Sequence, residues 1–64
     1  MNDGPTLSEL EERIALIRRN IDDLIEQAAA YSGAADEART ADRIAQEEQE
    51  LAKLIALRDA RLAQ

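Results

Sequence analysis

Residues 7–31, LSELEERIALIRRNIDDLIEQAAAY, set Leu7, Leu10, Ile14, Ile17, Ile21, Leu24, Ala28 and Tyr31 apart by 3, 4, 3, 4, 3, 4 and 3 residues. Every a and d position of nearly four heptads is therefore apolar. A strand alternates with a period of two and cannot produce this spacing. The stretch predicts an amphipathic helix with a coiled-coil type seam. Leu16 and Ile25 fall outside that seam.

The helix has a start signal and a stop signal. Thr6 is an N-cap residue, and Glu9 three positions later completes a capping box. Glu9, Glu11 and Glu12 also suit the positive end of the helix dipole. Residues 1–5, with Gly4 and Pro5, read as a disordered lead. Tyr31 occupies a d position and is expected to plug the end of the core. Ser32-Gly33 is the only internal turn signal, and Gly33 suits the left-handed position after a helix. A second apolar seam follows: Ala41, Ile44, Leu51, Ile55 and Leu62, interrupted by Glu48 and Arg58. Ala38, Ala45 and Ala52 flank it, while Leu54 and Leu57 lie outside. One unbroken helix is the competing reading, since a mid-helix glycine costs only about 1 kcal/mol.

Register favours the hairpin. Folding the chain at Ser32-Gly33 brings Leu10 level with Ile55, Ile14 with Leu51, Ile21 with Ile44, and Leu24 with Ala41. The same register sets Glu12 beside Lys53, Arg18 beside Glu47, Asp22 beside Arg43, and Glu26 beside Arg39. Two mismatches remain, Ile17 opposite Glu48 and Leu7 opposite Arg58, and long side chains can snorkel from such places. The expected fold is all-α: a two-helix antiparallel hairpin, helices over about 6–31 and 35–63, in a single domain spanning 6–64. Such a hairpin leaves Leu16, Ile25, Leu54 and Leu57 partly exposed. A second copy covering them, in a four-helix bundle, is the expected solution. A different helical protein supplying the missing helices is the alternative.

Composition closes many routes to chemistry. The 64 residues carry 14 acidic and 8 basic side chains, for a formal charge of −6, with no Cys and no His. This excludes zinc sites of the usual ligands, disulfides, thiol nucleophiles and imidazole bases. Di-metal sites in helical bundles use Glu-x-x-His pairs, which need histidine. Two glycines, Gly4 and Gly33, make no phosphate-binding loop. The acidic pairs Glu11-Glu12, Asp22-Asp23, Asp36-Glu37 and Glu47-Glu48 are neighbours on a helix, so they diverge by about 100° into solvent. No catalytic residue, cofactor, metal ligand or small-molecule substrate is expected, and the chain is not read as an enzyme. Glu48 differs from the other acids by falling on the apolar seam. It is read as a register-setting residue bonded to Arg18 or another arginine.

The charge also works against nucleic acid and anionic membranes as partners. Apolar runs reach only four residues, such as Leu54 to Leu57, which is too short for a membrane span. With no basic, apolar leader, a cytoplasmic location is expected. In architecture alone, the expected dimer is similar to the small helical hairpins that regulate plasmid copy number by binding RNA. It shares no motif with them, so the likeness transfers no residue roles. The expected function is a non-enzymatic protein-protein interaction module: a self-associating hairpin acting as a small adaptor, structural or regulatory subunit. Its interaction residues are Leu16, Ile25, Glu48, Leu54 and Leu57. Two other readings are an acidic inhibitor or nucleic-acid mimic of a basic partner, and a small component of a larger phage or secretion type assembly.

Overall fold

The computed structural model describes residues 4–30 and 34–64, with side chains in the second stretch from residue 37 onward. Two helices make up the fold, α1 (Leu7–Ala30) and α2 (Ala34–Leu62), with no strand among the described residues. They pack against each other in a rod of 49 × 17 × 14 Å. Three residues separate two helices of 24 and 29 residues that lie side by side, so the chain doubles back as a hairpin. Both helices match the expected spans to within a residue. The end plug at Tyr31 and the left-handed Gly33 lie outside the described residues, as do residues 1–3 of the lead. Gly4 has φ 106°, a left-handed value that favours glycine, and Pro5 is half-buried.

The start of α1 is built as the sequence predicts. The Thr6 backbone N–H donates to Glu9 Oε1 at 3.1 Å, and the Glu9 N–H donates to Thr6 Oγ1 at 3.1 Å. These bonds satisfy two donors that a helix N-terminus would otherwise leave free. The first intrahelical bond follows, from Leu10 N to Thr6 O at 2.9 Å. At the far end of α2, Arg61 lies in the last turn, where a cation suits the helix dipole.

The core occupies the open end of the hairpin. Leu10 is fully buried, Ile14 is 3% exposed and Leu54 is 5% exposed, with Ile17, Leu51 and Ile55 packed against them. Leu10 with Ile55, and Ile14 with Leu51, thus share one cluster, as the expected register requires. Along α1 the whole predicted seam, Leu7 to Ala28, is buried or half-buried. Leu54 corrects the expectation, because it belongs to the core rather than to the exposed set.

That correction extends along α2. The residues it turns inward are Thr40, Ile44, Glu47, Leu51, Leu54, Arg58 and Arg61, again at alternating spacings of 4 and 3. Ala41, Glu48 and Leu62, expected on the seam, are exposed. The helix is turned by about 50° from the predicted facing, half the angle between adjacent positions. Packing explains the turn. With Leu54 inward, Leu54 reaches Leu10 and Ile14 while Ile55 stays half-buried. With Ile55 centred, Leu54 would point away.

Glu48 is therefore not a seam residue. Nor do the expected cross-helix ion pairs close. Among the described residues the ion pair found is Arg58 with its neighbour Asp59, at 3.2 Å. Glu12–Lys53, Arg18–Glu47, Asp22–Arg43 and Glu26–Arg39 share heights but not contacts. Exposed ion pairs gain at most about 1 kcal/mol, against the entropy of holding two long side chains in place.

Candidate interaction face

A helix of an antiparallel pair has two flanks, and each flank shares a side of the hairpin with one flank of the other helix. The structure identifies one side directly. A shallow groove there is lined by Asn20, Asp23, Leu24 and Gln27 of α1 and by Arg43 and Glu47 of α2. It continues past Arg39 and Thr40. Its lining is polar and open to water. The row Asn20, Gln27 of α1 and the residue Arg43 of α2 therefore belong to this side.

Helical geometry sends the opposite flanks to the other side. These are the row Glu11, Arg18, Ile25 of α1 and the row Ala41, Glu48, Ile55, Leu62 of α2. This second side is markedly more apolar. Ile25 is 51% exposed and Leu62 is 60% exposed. Ile55 is half-buried, as are Ile21, Ile44 and Leu51 at the edge of the same surface. Three charges, Glu11 toward the open end and the opposite pair Arg18 and Glu48 near the middle, stand among them, and all three are exposed.

The five expected interaction residues are thus distributed over four places. Ile25 and Glu48 share the apolar side. Leu54 lies in the core. Leu16, 57% exposed, stands about 180° around α1 from Ile25, in a dip with Glu12, Ala15 and Arg19. Leu57, 51% exposed, falls on the same flank of α2 as Arg43, the side of the polar groove. The spacing predicts Leu62 on the inner seam, yet it is the most exposed large apolar side chain among the described residues. The signal that could have found it is the row Ile55, Leu62, seven residues apart and offset by four from Leu51 and Arg58.

The electrostatics are those of a solvated surface. No polar or charged side chain is buried among the described residues. The Glu9 carboxyl is held below the ordinary glutamate range, first by the Thr6 backbone N–H that donates to it and then by the Thr6 side chain. The positive fields of Arg13 and Arg61 act in the same direction. No cluster of potential metal ligands occurs among the described residues, and no helix is long and apolar enough to cross a membrane.

Surface area measures how incomplete the packing is. The chain exposes 5053 Å², against about 4,100 Å² for a compact monomer of this mass. Folding hides about half of the surface of the extended chain, where a domain of this size ordinarily hides about 60%. The excess is of the order that one partner contributes to a standard protein interface, about 800 Å². No family model, curated protein or solved structure matches the chain.

Proposed function

We propose that this chain is a non-enzymatic protein-protein interaction module, a cytoplasmic helical hairpin that self-associates into a four-helix bundle and serves as a small adaptor, structural or regulatory subunit. One observation carries the reading: the apolar stripe of α2 points about 50° away from α1, toward the side that bears Ile25, Ile55 and Leu62. A helix in a two-helix pair gains most by aiming its stripe at its one neighbour. A helix in a four-helix bundle aims it between two neighbours, at the common axis. The turned stripe of α2 supports the second arrangement. A second copy offers the same apolar rows and makes the contact isologous, which closes the assembly at two chains.

The test is molar mass in solution. Light scattering of the pure protein at high micromolar concentration is expected to give about twice 7.1 kDa. Ile25→Lys, which places a charge on the apolar side, is expected to shift the mass toward the monomer. A well-folded, helical monomer of the parent chain would overturn self-association and leave the face to the helices of a different protein.

A further inference from the structure

We infer that the two hairpins pack with their two-fold axis parallel to the helices, so that Arg18 of each copy meets Glu48 of the other. This inference rests on the self-association reading above and adds to it the alignment of the copies. Arg18 and Glu48 are exposed, lie on the apolar side, and make no ion pair among the described residues. The core cluster sets their heights. Leu10, Ile14, Leu51 and Ile55 share that cluster, in agreement with the register that sets Arg18 level with Glu47, one residue from Glu48.

Two alignments bury the apolar sides of two copies face to face. With the axis parallel to the helices, each α1 lies over the α2 of the other copy, and heights are preserved. Ile14 then meets Leu51, Ile21 meets Ile44, Ile25 meets Ala41, and Arg18 meets Glu48. The apolar matches already used within the hairpin are repeated between copies, and the two opposite charges are paired twice. With the axis perpendicular to the helices, each α1 lies over the other α1 in reverse. Arg18 sits near the middle of α1, so full overlap sets Arg18 against Arg18 and brings Glu48 within about a turn of Glu48. Glu11 comes near the level of an isoleucine in either case, Ile55 with the parallel axis and Ile25 with the perpendicular one, so Arg18 and Glu48 decide between them. Like charges juxtaposed across an interface disfavour the perpendicular alignment.

The experiment uses R18E, E48R, the double variant R18E/E48R, and an equimolar mixture of the two single variants. Dimer dissociation is measured by sedimentation at low salt, where surface charge is least screened. Helicity of each sample is recorded alongside. Each single variant is expected to weaken the dimer about tenfold, since two attractive contacts per dimer become repulsive. The double variant and the mixture are each expected to return to within about threefold of the parent.

The alternatives give different patterns. In the reversed alignment the single variants replace one like-charged contact by another, so dimerisation is unchanged. If Arg18 and Glu48 acted only within one chain, the double variant would recover but the mixture would not, because each single variant carries like charges at both positions. If net charge alone mattered, E48R would strengthen the dimer while R18E weakened it. Each of these patterns overturns the inference. A single variant that loses its helix alone and regains it on mixing supports the inference, and one that does not regain it overturns it. A monomeric parent removes the self-association reading itself. A dimeric parent with unaffected single variants removes only the alignment.

Discussion

Thr6 and Glu9 illustrate how much two residues can specify. Their reciprocal bonds, both 3.1 Å, mark the start of α1 and lower the pKa of one exposed carboxyl. A carboxyl whose pKa is lower in the folded chain adds stability above its unfolded pKa. That contribution is lost as the pH falls through the folded value. An NMR titration of the Glu9 side chain is expected to show a midpoint below that of glutamate in an unstructured peptide. Thr6→Ala is expected to move the midpoint back up and to destabilise the protein by about 1 kcal/mol, the usual effect of losing a cap. An unchanged midpoint in Thr6→Ala would assign the shift to the backbone N–H of residue 6, which alanine keeps, and to the arginines, rather than to the threonine side chain. At the other end, Arg58 shows how a seam tolerates a charge. Its Nε and Nη2 donate sideways to Asp59 Oδ1 at 3.3 and 3.2 Å, so only its alkyl stem needs to lie in the joint.

Helix α1 has one possible inner face, because its large apolar residues leave no second stripe of comparable quality. Helix α2 has two. Ile44, Leu51 and Arg58 belong to both, and the choice lies between the row Glu47, Leu54, Arg61 and the row Glu48, Ile55, Leu62. The first row faces α1. Leu54→Ala is therefore expected to destabilise the hairpin by about 2–4 kcal/mol, by leaving a cavity against Leu10 and Ile14. Leu57→Ala, at a position 51% exposed, is expected to change stability by less than about 0.5 kcal/mol. Thermal melts of the two variants measure both effects. Equal effects would mean that α2 faces α1 differently from the arrangement described here.

The whole molecule is a thin rod. Its radius of gyration of 14.7 Å exceeds the roughly 11 Å of a compact domain of this length. Among the described residues three side chains, Leu10, Ile14 and Leu54, are fully or nearly fully buried, a small core for a chain with no cysteine. Domains this small are marginal unless something else joins the packing. When folding and association are linked, mass action makes stability depend on concentration. The melting temperature is expected to rise by about 5 °C for each tenfold increase in protein concentration. A melting temperature independent of concentration across two decades would show that the hairpin is stable alone.

The sequence by itself determined the all-helical class, both helix spans, the capping box and the inner face of α1. Each of these rests on local physics: a 3-4 spacing, a hydroxyl and a carboxylate three residues apart, and a Ser-Gly break between two periodic runs. Only the tertiary structure decided which way α2 faces, and with it the exchange of Leu54 and Glu48 between surface and seam. Steps of three and four residues fit the α2 stripe equally well, so its spacing alone is ambiguous by about 50°. The ambiguity ends where Leu54 meets Leu10 and Ile14, residues 44 and 40 positions away in the chain. A contact of that range leaves no trace in the local pattern of either helix.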